Sequence, residues 1–464
     1  MPLPPPASVR SILSAPRLVR AACAACVVAA VGACADAARQ EGPQRAPRVV
    51  VARAGGWQAG EPGQPLGSPL VVAVLDAAGA PVQDAAVRWS VDDGGVVQPA
   101  ESRTDANGEA RATWTLGDAT PHQAHARAGS AMAATFAALV DGRGALVALD
   151  VATYDGSGQV VHPDVAAAPV GWGTGPRQLV MTPYPFGNAA FENPSLFVAP
   201  DETHWLPPAG GDGNPVVRPL GGYLSDPDLV FDPAAGALRL YYRAVDGENR
   251  VLLTTSRDGL RWDTPVEVVH GPNHTVVSPA VVRRAANDWW MWTVDGGVGC
   301  TAATAALDVR RSADGVHWSA PTRATLAQAG YFPWHVDVQW IPSLGEFWAL
   351  YNGKEAGSCT TPALFLARST DGVTWTTYPS PVLARGAIAE LADVVYRSTF
   401  AYDPASDAVT LWYSGASYDG SRYVWRAAVE RRTRAALLAS VSSTNRIAAI
   451  PGARADVPPL TDGP

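Results

Sequence analysis

The chain has 464 residues, 47% of them hydrophobic and 17% charged, which describes a folded protein with room for two or three domains. A formal net charge of −8 offers no basic footprint for a phosphate backbone and sets nucleic acid aside as a partner. The 44 glycines and 40 prolines suit many short strands joined by tight turns, hence an all-β protein.

Residues 1–33 read as an export signal. Arg10, Arg17 and Arg20 precede Ala21–Ala33, an apolar run too short to span a bilayer. The run ends Val31-Gly32-Ala33-Cys34, which resembles a bacterial lipobox. That resemblance implies lipidation of Cys34 and a membrane-anchored lipoprotein facing the periplasm or the cell exterior. An ordinary secretory signal cut nearby is the alternative. Residues 34–48 are polar and Ala/Gln/Pro-rich, a tether.

Residues 49–142 alternate short strands with turn signals. Pro69–Leu75, Ala86–Val91 and Ala110–Leu116 read as strands; Asp76-Ala77-Ala78-Gly79 and Asp105-Ala106-Asn107-Gly108 read as turns. About ninety residues of this kind make a β-sandwich. The phrases Leu75–Val82, Val87-Arg88-Trp89-Ser90, Thr104–Gly108 and Trp114–Gly117 resemble the bacterial Ig-like domains of the invasin/intimin type. The resemblance implies a stalk, spacer or adhesive module.

From about residue 146 to 445 one phrase recurs. Ser256-Arg257-Asp258-Gly259-Leu260-Arg261-Trp262 returns at Ser312–Trp318 and Ser369–Trp375, with a degenerate copy at Ala199–Trp205. The tryptophans are 57, 56 and 57 residues apart, a repeat architecture. Each unit carries three strands and a fourth after the tryptophan, so the repeats predict a β-propeller of five blades. The fifth blade lacks the phrase. The phrase resembles the Asp-box of sialidases, one residue shorter. Its chemistry is that of a turn: the carboxylate accepts from turn amides, glycine permits positive φ and tryptophan packs on a neighbouring sheet. Residues 446–464 are Pro/Ala/Asp-rich and read as a flexible tail.

The turns built by this phrase lie at the face opposite the first strands of the blades. Those first strands open on His162-Pro163-Asp164, Asp226-Pro227-Asp228, Ser278-Pro279, His335-Val336-Asp337 and Arg397-Ser398-Thr399. Residues two apart face the same way, so these side chains are expected to converge at one mouth of the channel. At these openings the chain resembles the five-bladed propeller glycoside hydrolases of the arabinanase/β-xylosidase and invertase/levansucrase types. Those enzymes carry Asp-Pro in blades one and two and a Glu shortly before a Pro in blade three. Asp226-Pro227 matches the second; Asp164 is displaced by two, and blade three has Ser278 without a Glu.

A glycosidase needs two carboxyl groups about the bond, one of them protonated. The resemblance makes Asp164 the base and Asp226 or Asp228 the supporting carboxylate. Glu192, Glu390 or His335 is the acid, and Asp337 belongs to the same catalytic group. Asp164 and Asp228 could equally be fixed ions that bond blade amides or Arg397. His162, Arg397, Trp334 and Tyr331 are candidate substrate-binding residues, with Tyr184, Pro185 and Phe186 as a second aromatic platform. No cofactor is expected. His162 and His335 with Asp337 are the residues that would hold calcium or zinc, although their spacing does not call for a metal. Cys300 and Cys359 lie in equivalent loops of adjacent blades and are expected to form a disulfide at the rim. The expected function is that of an exported glycoside-hydrolase-like protein acting on or binding a glycan. The alternative is a non-catalytic carbohydrate-binding or adhesive surface lipoprotein.

Overall fold

The computed structural model describes residues 46–199, 201, 203–211, 213–219, 221–443, 450–452 and 454–460. The signal, Cys34 and most of the tether lie outside the described residues.

The first domain is a sandwich of two antiparallel four-stranded sheets. One runs Val49–Ala54, Leu70–Leu75, Glu109–Thr115, Val96–Gln98; the other runs Glu101–Arg103, Ala86–Val91, Gln123–Arg127, Ala134–Ala137. Strand alternation places Ala110, Ala112 and Trp114 inside and their neighbours outside. Val50, Val72, Val87, Trp89, Trp114 and Phe136 share one core. Full burial of each large apolar side chain contributes about 1.5–3 kcal/mol. The turn expected at Asp105 forms, with its carboxylate accepting from the amides of Asn107 at 2.8 Å and Glu109 at 2.9 Å.

The sandwich passes into the second domain through a two-residue hairpin. Asp141 and Gly142 both have positive φ (52° and 72°), the geometry of the tight Asp-Gly turn. Leu139–Val140 pairs with Arg143–Gly144, and Arg143 in turn pairs with Arg432.

The second domain is a β-propeller. Five sheets carry it, with innermost strands Val160–Ala167, Tyr223–Asp232, Val277–Ala285, Phe332–Ile341 and Thr399–Asp403. Each of these strands touches the next, and the fifth touches the first. The ring is closed by the start of the domain: Val147–Ala148 pairs with Tyr423–Thr433, the third strand of the fifth sheet. That pairing supplies the outer strand that blade five lacks in its own sequence.

The recurring phrase forms the turn between the third and fourth strands of blades two, three and four. In blade three Asp314 Oδ1 accepts from Val316 N at 2.8 Å and His317 N at 2.9 Å, and Ser312 Oγ accepts from Gly315 N at 2.9 Å. Gly315 O accepts from the Tyr241 hydroxyl of blade two at 2.8 Å, and Gly372 O from Trp292 Nε1 of blade three at 2.8 Å. A Cβ at Gly315 would lie 2.7 Å from that hydroxyl, so only glycine permits the approach. The phrase therefore both turns its own chain and ties its blade to the one before.

Candidate functional site

The innermost strands do not run straight. His162 (φ 56°), Asp226 (φ 50°) and Ser278 (φ 53°) occupy the left-handed region although each precedes a proline. At each the pairing slips, leaving two residues against one, which is a β-bulge. Blade four slips between Pro333 and His335. Non-glycine residues in this region cost about 1–3 kcal/mol each and persist where surrounding structure holds them. Here they are held by three consecutive blades around one axis.

The structure divides the openings into two layers. The upper layer is His162, Asp226 and His335. His335 Nδ1 lies 2.9 Å and His162 Nε2 3.4 Å from Asp226 Oδ1. His162 Nε2, although buried, has no hydrogen-bond partner. One ligand-type atom from each residue lies within 4.8 Å of the others. The Thr182 hydroxyl meets His162 Nδ1 at 3.1 Å, and Asn352 Oδ1 accepts from the His335 backbone amide at 2.6 Å. Burial pushes both imidazoles below their ordinary range. Burial alone would raise Asp226, but the charges of His335 and His162 hold it well below the usual carboxylate range.

Glu192 follows a short 3-10 turn, Ala189–Phe191, and its Oε1 lies 3.6 Å from His162 Nδ1. Burial, then the charge of Asp226, pushes Glu192 well above the ordinary range. Arg243 approaches Asp226 from the other side at 3.6 Å. Tyr396 packs on both imidazoles, with ring centroids 5.1 Å from His162 and 4.6 Å from His335. These groups line a cavity of about 80 Å³ that opens to solvent. That is the volume of roughly two or three waters, less than a sugar ring needs.

The lower layer is Asp164, Asp228 and Asp337. Each grips the next inner strand: Asp164 Oδ2 accepts from Leu229 N at 2.5 Å, Asp228 Oδ2 from Val281 N at 3.0 Å and Asp337 Oδ2 from the Thr399 hydroxyl at 2.9 Å. Arg397 plugs the channel between the layers. It donates to Pro227 O and Pro279 O, and its Nη2 lies 3.6 Å from Asp228 Oδ1. Burial raises all three carboxyls, Asp337 to about 7.

Several expectations change. A single converging cluster is replaced by two layers, because side chains two residues apart share a direction but not a level along the axis. Asp164, Asp228, Asp337 and Arg397 do not line the upper cavity. The carboxylate that joins His162 and His335 is Asp226, not Asp337. Trp334 lines the cavity, whereas Tyr331 packs at a tilt against Phe365, with ring centroids 5.1 Å apart. Glu390 is exposed on a 3-10 turn, and Phe186 lies on the outer surface under Arg422 at 3.5 Å. Cys300 and Cys359 are disulfide-bonded and pack on Trp334. Arg243, Tyr396, Trp425 and Leu460 line the cavity without any sequence signal of their own. Residues 450–452 and 454–460 of the expected flexible tail lie across the rim.

Comparison with known proteins bears on both domains. Residues 68–138 match the family of bacterial Ig-like domains (group 1). The N-terminal sandwich is a bacterial Ig-like domain. The chain is 28% identical over 336 residues to an A type blood N-acetyl-α-D-galactosamine deacetylase of Flavonifractor plautii. The match covers 62% of this chain and 42% of that protein, so the chain spans less than half of the relative's length. A crystal structure of an N-acetylgalactosamine deacetylase from F. plautii, in complex with blood group B trisaccharide, superposes with a TM-score of 0.60 at 24% identity, covering 65% of this chain and 98% of that one. An α-L-arabinofuranosidase from Podospora anserina aligns with a TM-score of 0.43 at 13% identity, over 61% and 94% of the two chains. The fold of the second domain is thus shared with the F. plautii deacetylase.

Proposed function

We propose that the protein hydrolyses the N-acetyl group of an acetamido sugar at the end of a glycan, using a divalent cation held by His162, Asp226 and His335. The observation that carries this reading is the convergence of two buried imidazoles and one buried carboxylate, His162, His335 and Asp226, each with a ligand-type atom within 4.8 Å of the others, and with His162 Nε2 lacking a hydrogen-bond partner. Unpaired buried polar atoms are costly, and two nitrogens with one oxygen form a donor set that suits zinc and its first-row neighbours. When bound, such a cation polarises an acyl oxygen and acidifies water.

The chain's own residues account for the remaining steps. Glu192, basic once ionised, takes a proton from water as its oxygen bonds to the acyl carbon. It then delivers that proton to the nitrogen as the C–N bond breaks, leaving acetate and an amine. Tyr396, held protonated by its burial, offers a hydroxyl donor beside the imidazoles. A cavity of about 80 Å³ fits an acetamido group better than a whole ring, which would stay at the mouth. The name of the F. plautii relative supports the same chemistry.

Glycoside hydrolysis is the second reading. The opposite shifts of Asp226 and Glu192 favour it, since a glycosidase needs one ionised and one protonated carboxyl. The absence of a carboxylate at Ser278 and the burial of Asp164 in the lower layer weigh against it.

One assay separates the two. The purified protein, supplied with zinc, manganese or cobalt, is incubated with aryl glycosides and oligosaccharides ending in N-acetylgalactosamine or N-acetylglucosamine. Acetate release without new reducing ends supports the hydrolase of amides; reducing ends without acetate support the glycosidase. Binding with neither product leaves a carbohydrate-binding protein. We further propose that the protein is exported and lipid-anchored at Cys34; incorporation of labelled fatty acid that is lost in Cys34→Ala tests this.

A further inference from the structure

The cavity has one wall that belongs to no blade. Leu460 lines it, half-buried, between two aromatic groups. On one side are Trp334 and the Cys300–Cys359 disulfide; on the other are Tyr396 and Trp425. Tyr396 packs against both groups, and Leu460 sits over the place where they meet.

Its segment is fixed at several points. Pro451 O accepts from Arg385 Nε at 2.7 Å. The Arg454 guanidinium lies 3.4 Å from Asp393, whose side chain is only 3% exposed, and reaches Tyr418 O at 3.4 Å. Pro458 O accepts from the Tyr423 hydroxyl. Val457-Pro458-Pro459 leads directly into Leu460, and two fixed φ angles there lower the entropy lost in presenting its side chain. A stiff, anchored segment that sets an apolar residue over a polar cavity narrows the approach to that cavity.

We propose that residues 450–452 and 454–460 form a strap and that Leu460 is a specificity-determining residue: it closes one side of the mouth, so that an acetamido sugar at the end of a glycan enters while one inside a chain is excluded. This rests on the amide-hydrolase reading above. An internal sugar carries a chain on both sides, and one of those chains would have to occupy the space of the strap.

Two variants test it, Leu460→Gly and a chain ended at residue 449. The point variant alters a side chain on the rim and leaves every anchor in place, so it folds if the parent folds. The first readout needs no activity. In metal-free protein, carbethoxylation of His162 and His335 by diethyl pyrocarbonate is followed by peptide mass mapping. Both variants are expected to react several-fold faster than the parent. The second readout is acetate release from oligosaccharides carrying one acetamido sugar at the terminus or internally. The internal-to-terminal ratio of kcat/KM is expected to rise about tenfold in both variants, the size of effect that one apolar contact provides. Unchanged imidazole reactivity in both variants would overturn the strap. Faster imidazole reaction with an unchanged substrate ratio would overturn the role of Leu460 in selectivity. If the parent releases no acetate, the hydrolase reading fails and the selectivity claim with it, while the reactivity measurement still decides whether the strap shields the cavity.

Discussion

His335 Nδ1 lies 2.9 Å from Asp226 Oδ1, and His162 Nε2 lies 3.4 Å from the same oxygen. Three buried ligand-type atoms this close are placed as a cation's ligands would be. His335→Ala and Asp226→Asn are therefore expected to lose the cation. The parent's thermal midpoint should rise on adding zinc or manganese, because binding at a hundred times Kd stabilises by about 2.7 kcal/mol. The two variants should show no such rise, and their metal content after dialysis should fall to background.

Glu192 is the next test. Glu192→Gln keeps the shape and the cation ligands but removes the base. Acetate release should fall by roughly 10²- to 10⁴-fold, with metal content unchanged. Glu192 is raised by burial and by Asp226, so the parent's kcat/KM should decline as pH falls through that raised value. The same acid limb should be missing from the residual activity of the variant.

Arg397 is the guanidinium that faces Asp164, Asp228 and Asp337. Removing one partner of a buried charge group leaves the others uncompensated, at a cost of about 3–5 kcal/mol. Arg397→Met should show this loss in urea unfolding. Adding Asp228→Asn should restore part of it, because Asn still accepts from the Val281 amide. No recovery would mean that Arg397 acts through the Pro227 and Pro279 carbonyls alone.

The disulfide closes a loop between Cys300 and Cys359, 59 residues apart. In the chain-entropy account a loop of that length stabilises by about 4 kcal/mol. Cys300→Ser with Cys359→Ser should lower stability by a sizeable part of that and leave the imidazoles in place. Metal affinity would report the second point.

At the domain junction Asp201 Oδ2 accepts from Ala52 N of the Ig-like domain at 2.9 Å and meets His204 Nδ1 at 2.9 Å. Burial alone would lower His204, but the Asp201 carboxylate raises it above 6.5. Its contribution is thus fully present below the unfolded value of about 6.5 and is lost as pH rises through the raised folded value. Asp201 is held low by His204 against burial, so its contribution is lost at the acid end instead. The midpoint should fall as pH rises above about 6.5 in the parent and change less in His204→Gln.

The propeller was legible because a turn motif repeats at nearly constant spacing and because glycine and aspartate have one structural use there. The site was half legible. His162, Asp226 and His335 stood out as polar residues at strand openings. Their separation from Asp164, Asp228 and Asp337 did not, because it depends on bulges at His162, Asp226 and Ser278. The sequence pattern argues against those bulges, since a residue before proline avoids the left-handed region. Tyr396 and Leu460 reach the cavity from parts of the chain far from His162 and Asp226, which no local pattern reports.

The hairpin at Asp141 and Gly142 has a mechanical meaning. The Ig-like domain ends on the very segment whose next strand, Val147–Ala148, completes the fifth sheet. If the chain is held at its N-terminus and its glycan is fixed elsewhere, tension passes through the sandwich into the strand that locks the ring. A pull strong enough to peel that strand would open the propeller at blade five, beside the Tyr396 and Trp425 wall of the cavity, so the load path and the binding site share one sheet.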